Sequence, residues 1–436
     1  MRIFHSVIAI SFVIALAPHF TAAQKFGKYD RQRGQEMLRM IKRDIEKHYY
    51  DPKFRGIDID ARFAEAHERL KTAESNGQVM GIIAQVLVEF QDSHTRFIPP
   101  PRANRTEYGW KVKVIGDSAF VTAVKPGSDA EKKGLRVGDR ITAVDNTIVG
   151  RDNLSLMKYL YYALRPQPGM RLAFVRPGTE AEQELIVEAH VASGGRVLNL
   201  TGDDIWEYIR EIENESHLNR HRYISIGKEV FIWRMPGFDM TERQVDDAMA
   251  RASKYPAMIF DLRGNGGGSV KMFNRLVGNL FDRDIKVADW VGRKKFDPQI
   301  AKTRGGNIYK GEVIVLIDAE SASASELFAR VMQLEKRGRV LGDRSAGSVM
   351  VSRYYSHKVG LDVVSFYGAN VTMADLIMAD GVSLENTGVT PDQLLLPTGD
   401  DLAAGRDPVL ARAVEMLGGK LTSEDAGKMF PVEWRR

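Results

Sequence analysis

The sequence predicts an α/β catalytic core preceded by a helical region and a β-rich insert, and three observations carry that prediction. After about residue 222, strand-like runs at 230–234, 257–262 and 313–317 alternate with helix-like runs at 241–253, 270–280 and 325–335, which is the order of an α/β fold. Residues 29–97 show helical spacing of apolar side chains, and residues 105–192 break into short β-type runs separated by turns. The 436 residues exceed one ordinary core, so two to three domains are expected.

The chain opens on one early cation, Arg2, an apolar run over 7–17 and small residues at Thr21 and Ala23. This reads as a secretory signal peptide, residues 1–23, cleaved after Ala23. The run is short for a membrane span, and an uncleaved anchor is the alternative. Export to a periplasmic or extracellular space follows, with no stable membrane span expected once the signal is removed. Its removal takes Arg2 and lowers the formal net charge from +5 to +4. The remaining charges are mixed in sign without a basic stripe, so no nucleic-acid partner is expected. The chain has no cysteine, which excludes disulfides, thiol nucleophiles and cysteine-ligated metal centres. Hydrophobic residues at 44% and charged residues at 27% describe a globular chain that must be stabilised by packing.

In the helical region, Met37, Met40, Ile41 and Ile45 share one face; Phe63, Ala66 and Leu70 mark a second helix, and Met80, Ile83, Val86, Leu87 and Phe90 a third. The pattern stops at the polar motif Asp92-Ser93-His94-Thr95, shortly before three prolines at 99–101 that no helix can continue through. Strand-like runs follow at 110–115, 119–124, 140–144, 172–175 and 184–187, with helical pieces at 130–134 and 154–164. A polar link, 194–222, carries His217 and His221 at helical spacing. Leu218 stands where the glutamate of a zinc-binding His-Glu-x-x-His helix would be, so solvated histidines are the expectation and no metal or other cofactor is expected.

Two strand ends in the core carry candidate chemistry. Asp261-Leu-Arg-Gly-Asn-Gly266-Gly267-Gly268-Ser269 follows an apolar strand and precedes a helix. It lacks the Lys-Ser/Thr of a phosphate-binding loop and the spacing of a dinucleotide fingerprint, which leaves a phosphate cradle of another kind or an oxyanion hole as readings. The apolar run 313–317 leads into Ser321-Ala-Ser323-Ala324-Ser325-Glu326 and a helix. There, unsatisfied N–H groups and the positive dipole end could stabilise an oxyanion beside a serine, or the serines could only cap the helix. A serine nucleophile needs a base, and among the seven histidines beyond the signal only His94 lies in a short polar motif at an abrupt helix end.

Residues 124–145, Val-Lys-Pro-Gly-Ser-Asp-Ala-Glu-Lys-Lys-Gly-Leu-Arg-Val-Gly-Asp-Arg-Ile-Thr-Ala-Val-Asp, resemble the central signature of a PDZ domain. That resemblance implies a groove taking an extended peptide as an added strand, with backbone amides near Tyr108-Gly109-Trp110 receiving its end. The ordered set Asp92-Ser-His-Thr95, PDZ signature, 261–268, 321–326 and Glu385-Asn-Thr-Gly-Val-Thr-Pro-Asp392 resembles the C-terminal-processing, or tail-specific, serine peptidases over roughly 35–400. The resemblance implies a ClpP/crotonase-like α/β core over 222–400 with an N-terminal helical cap, an inserted PDZ domain and a C-terminal tail over 401–436. It implies Ser323 as nucleophile, with Ala324 and Gly266 or Gly267 as oxyanion donors. Lysine-dependent members carry their base 25 residues after the nucleophile; here that position is Ser348. The match is instead to the histidine-using branch that includes the tricorn core. It implies His94 as base, Glu385 orienting the imidazole and Ser93 as a supporting hydroxyl, in an exported peptidase acting on unfolded or tail-exposed proteins. The competing readings are a non-hydrolytic binding or carrier protein of the same fold and, with little but the fold behind it, an acyl-CoA enzyme.

Overall fold

The computed structural model describes residues 26–102, 104–193, 220–360, 364–432 and 434. The signal peptide, His217 and most of the polar link therefore lie outside the described residues.

The N-terminal helices are α1 (Lys28–His48), α2 (Ile59–Lys71) and α3 (Asn76–Val88). The side chains expected on their inner faces are buried, Ile41, Ile45, Phe63, Leu70 and Ile83 among them; Met40 is partly exposed. Asp58 and Ser75 cap α2 and α3 by accepting the N–H three residues on. After α3 the chain passes through Asp92–Thr95 into β1 (Arg96–Ile98).

Residues 104–193 form β2 (Asn104–Glu107), β3 (Trp110–Ile115), β4 (Ser118–Val124), α4 (Asp129–Lys132), β5 (Arg140–Val144), β6 (Thr147–Ile148), α5 (Leu154–Lys158), β7 (Gly169–Val175), β8 (Glu182–Glu188) and β9 (His190–Ser193). Their antiparallel sheet runs β3-β4-β5-β7-β8, so β3 is an edge strand that can take another strand beside it. Alternation along β3 puts Trp110, Val112 and Val114 into the core of this unit.

The main sheet has the order β10-β11-β12-β15-β16-β19, formed by β10 (Arg222–Ile226), β11 (Val230–Arg234), β12 (Ala257–Asp261), β15 (Glu312–Ile317), β16 (Arg339–Gly342) and β19 (Gln393–Leu394). All neighbours from β11 to β19 pair in parallel, and β10 is antiparallel to β11. Helices α6 (Glu242–Ala252), α7 (Val270–Gly278) and α8 (Ala324–Leu334) pack their apolar faces into the core that β12 and β15 share. A second sheet joins β1 to β18 (Ser365–Met378), β13 (Ile285–Val291) and β14 (Gln299–Ala301), with β17 (Met350–Val359) paired along β18. That sheet brings Asp92–Thr95 to the core, since β1 pairs antiparallel with β18.

The stretch expected as a tail is folded. Helices α9 (Gly399–Ala403), α10 (Pro408–Met416) and α11 (Ser423–Lys428) follow β19, and Val409, Leu410, Ala413, Val414 and Ala426 are buried with Val230, Ile259 and Leu316. The parallel sheet needs a second cover on the face opposite α6–α8, and α10 and α11 supply it.

Candidate active site

The C-terminal ends of β12, β15 and β16 meet at one edge of the parallel sheet, where ligands bind in open α/β sheets. β12 delivers the glycine run, β15 the serine turn and β16 the turn 343–349.

The three serines of the β15–α8 turn separate by what they touch. Ser321 Oγ donates to Leu262 O at 2.8 Å and Ser325 Oγ to Asn265 O at 2.9 Å, and both side chains are buried. They hold the glycine run against the turn and are not competing helix caps. Ala322 N donates to Asn265 O at 2.9 Å, closing the same junction. Ser323, partly exposed, has φ 54° and ψ −118° at the N-cap of α8. A non-glycine residue there is strained, and such strain persists only where the surroundings over-determine it.

Gly267 explains why this loop needs glycine. Its φ is +102°, and a Cβ there would come within 2.7 Å of Ser323 Cβ and 3.1 Å of Ala324 N. Its amide is engaged inward, donating to Asn265 Oδ1 at 2.8 Å, so of the two glycines left open as oxyanion donors it is the one whose N–H is already committed. Ala324 opens α8, so its N–H has no carbonyl one turn back to bind.

Asp92–Thr95 is built around the buried carboxylate of Asp92. Its Oδ1 accepts from His94 N at 3.0 Å, Thr95 N at 2.6 Å and Thr372 Oγ1 at 2.8 Å, and its Oδ2 accepts from Tyr49 OH at 2.9 Å. Beside it, Ser93 links the other two expected residues. Ser93 Oγ donates to Glu385 Oε2 at 2.8 Å and lies 2.6 Å from His94 Nδ1, and Ser93 N donates to Glu385 Oε1 at 2.7 Å. Because the one hydroxyl proton goes to the carboxylate, Ser93 Oγ accepts from Nδ1–H, which leaves Nε2 of a neutral ring as its basic nitrogen. A route from Glu385 to the ring thus runs through Ser93, where the sequence reading had Glu385 acting on the ring and Ser93 only assisting. Burial raises the Glu385 carboxyl above its ordinary value, while the donors at Val349, Ser93 N and Ser93 Oγ oppose it.

The two halves join through Ser348 and Val349. Ser323 N donates to Ser348 O at 2.9 Å and Val349 N to Glu385 Oε2 at 2.8 Å. Ser348, at the position where a lysine base would stand, instead donates its N–H to Glu326 Oε2 at 2.9 Å. Glu326 was quoted in the serine motif without a role; its only sequence cue was a capping position three residues after Ser323.

The sequence-predicted peptide-end residues lie at the start of β3. Tyr108 is buried with its hydroxyl between Gln167 O and N, Gly109 has φ +74°, and Gly109 O accepts from Lys125 N at 2.8 Å. The face of β3 opposite Val112 and Val114 carries Lys113, which pairs with Glu320 at 2.6 Å just before the serine turn.

Comparison with known proteins bears on the two folded units that carry these residues. A family model of peptidase family S41 matches residues 230–395 and a PDZ-domain model matches residues 120–156. The core is thus similar to the serine-type peptidases of family S41. The chain is 24% identical over 376 residues to the chloroplastic C-terminal processing peptidase of Tetradesmus obliquus, covering 81% of this chain and 76% of that one. It is 27% identical over 355 residues to the tail-specific protease of Haemophilus influenzae, covering 77% of this chain but 48% of the relative, so it spans about half that protein's length. Among solved structures, mature CPAF superposes with a TM-score of 0.64 at 15% identity, covering 86% of this chain and 95% of that one, which is a likeness of fold.

Proposed function

We propose that the protein is an exported serine peptidase that hydrolyses peptide bonds in unfolded or tail-exposed proteins. Ser323 is the nucleophile, His94 the base, and Glu385 acts on the imidazole through Ser93. The observation that carries the reading is the hydrogen-bonded chain Glu385–Ser93–His94, coupled by Ser348–Val349 to a strained serine at a helix N-terminus.

In this reading His94 Nε2 takes the Ser323 hydroxyl proton as Oγ attacks the scissile carbonyl. The imidazolium is stabilised by Ser93 Oγ, polarised in turn by Glu385. The oxyanion is received by the N–H of Ala324 and, since Gly267 N–H is engaged, by that of Gly266. The imidazolium then protonates the leaving amine, and water, deprotonated by the same ring, hydrolyses the acyl-enzyme. The core is of ClpP/crotonase-like type, α1–α3 form its cap, and the unit at 105–192 reads substrate ends on the open edge of β3 near Tyr108, Gly109 and Trp110. No helix among the described residues is long and apolar enough to cross a membrane. Export rests on the N-terminal sequence alone. The relatives' names support the substrate class: one is a C-terminal processing peptidase and another a tail-specific protease.

The test is incubation of the mature protein with casein and with model proteins carrying unstructured tails, beside Ser323→Ala. Cleavage by the wild type and none by the variant is expected. A carrier protein would cleave nothing, and equal cleavage by both would move the nucleophile elsewhere.

A further inference from the structure

Glu326 is a buried carboxylate that the reaction scheme leaves without a role. It faces inward from the first turn of α8 and accepts four hydrogen bonds, all from neutral groups. Oε1 accepts from Ser345 Oγ at 2.6 Å and Gly347 N at 2.7 Å; Oε2 accepts from Ser348 N at 2.9 Å and Ser323 N at 3.0 Å. One donor is the main-chain N–H of the nucleophile itself. The other three lie on the turn that follows β16.

That turn is held from its far side by the segment carrying Glu385. Asn386 N donates to Gly347 O at 2.8 Å, Val389 N to Ser345 Oγ at 2.6 Å, and Val349 N to Glu385 Oε2. Gly347 has φ +69°, and a Cβ there would lie 3.0 Å from both Asn386 C and Thr387 N, so the two segments are in close contact. Charged groups on the surrounding elements make contacts elsewhere: Arg330 of α8 with Asp380, Asp343 with Arg151, and Glu385 with Ser93.

We propose that Glu326 is a positioning residue for the peptidase reaction: its ionised carboxylate holds the Ser323 turn and the 345–349 turn in one frame, and thereby sets the nucleophile against the Glu385–Ser93–His94 chain. The assignment rests on the function proposed above. Its chemistry is specific to an anion. Each carboxylate oxygen faces two donors, at least one of them a main-chain N–H that cannot turn away, so the NH2 of a glutamine meets a donor in either orientation, and a proton fits only on Oε1, where the Ser345 hydroxyl must turn to accept it. Burial pushes this carboxyl up to about 7 against the pull of its four donors. The ionised form is therefore held at a cost in stability, as at many functional sites. The sign follows from linkage: with the folded-state value raised above the ordinary 4.5, stability present below that pH is lost as pH rises through about 7.

The experiment compares wild type, Glu326→Gln and Ser345→Ala in ester hydrolysis, in the rate of fluorophosphonate labelling at Ser323, and in melting temperature, from pH 5 to pH 9. Glu326→Gln should lower kcat roughly 100-fold with KM nearly unchanged, the pattern of an interaction that matters in the transition state. Its acid limb should fall with one ionisation where the wild type shows two, and its melting temperature relative to wild type should rise as pH rises past about 7. Should Glu326→Gln fail to fold by circular dichroism, Ser345→Ala decides. Loss of one donor should move the acid limb to higher pH, and an unmoved limb overturns the proposal. A folded Glu326→Gln labelled at the wild-type rate with the wild-type pH profile overturns it as well. Wild-type protein whose Ser323 takes no probe overturns the functional reading beneath it, a result distinct from either.

Discussion

The turn that carries Ser323 joins a central parallel strand to a helix and is held by main-chain and short side-chain contacts within that layer, whereas the turn that carries His94 ends a helix of another unit and hangs on one buried carboxylate. Asp92 draws its donors from Tyr49 at the C-terminal end of α1, from its own turn, and from β18 through Thr372. Ser323 is thus set by the folding of the sheet, while His94 is set by the docking of α1–α3 onto the second sheet. Damage to the docking contacts should therefore reach His94 and leave the serine turn in place.

The largest expected effect is on the nucleophile. Ser323→Ala should abolish hydrolysis while its melting temperature stays close to wild type, because its strained backbone is fixed by neighbours and not by its hydroxyl. Next come the links of the histidine chain. Ser93→Ala and Glu385→Gln should each lower kcat/KM by about 10² to 10⁴, in the range of a lost orienting partner. Because the two act in series, the double variant should be little worse than either single one. Additive losses, measured as a double-mutant cycle, would show that Glu385 works by another route.

Asp92→Asn separates the two turns more sharply. The amide must present an NH2 to donors now satisfied by a carboxylate, so a loss of about 2 to 3 kcal/mol by chemical denaturation is expected, together with reduced kcat. Ser325→Ala is its counterpart on the other turn. It should cost about 1 kcal/mol for one lost hydrogen bond, since Ala322 N still donates to Asn265 O, and keep most of the activity. If Ser325→Ala lost activity as Asp92→Asn does, the two turns would not differ as argued.

Much of the serine side was legible in the sequence, because its elements announce themselves locally. The apolar run into Ser321–Ser325 became β15 and α8 within a residue of the expected limits, and 230–234 and 110–115 appear unshifted as β11 and β3. The spacing of the serines could not show which hydroxyl was taken by a carbonyl of another strand. That depends on β12 lying beside β15, with Ser321 meeting the Leu262 carbonyl 59 residues away in the chain. The long pair β17–β18 went unread, and with it the support for His94, since Thr372 meets Asp92 across 280 residues. Helices α9–α11 were mistaken for a tail because short polar-rich helices carry a weak periodic pattern, although Val409, Leu410 and Ala413 supply an apolar stripe. Glu326 was visible as a residue but not as a hub, because all but one of its donors come from a turn some twenty residues away.

The central claim, that His94 activates Ser323, is tested most directly by the rate at which a fluorophosphonate labels Ser323 as a function of pH in wild type and His94→Gln. The chain to Glu385 favours the charged imidazole, so the wild-type rate should climb with pH as the imidazole loses its proton, alongside the ionisation of Glu326 at about 7. His94→Gln should label at least about 10³-fold more slowly, with the imidazole limb gone. Labelling of His94→Gln at the wild-type rate, with the same rise through neutral pH, would contradict the account and pass the base's role to another group.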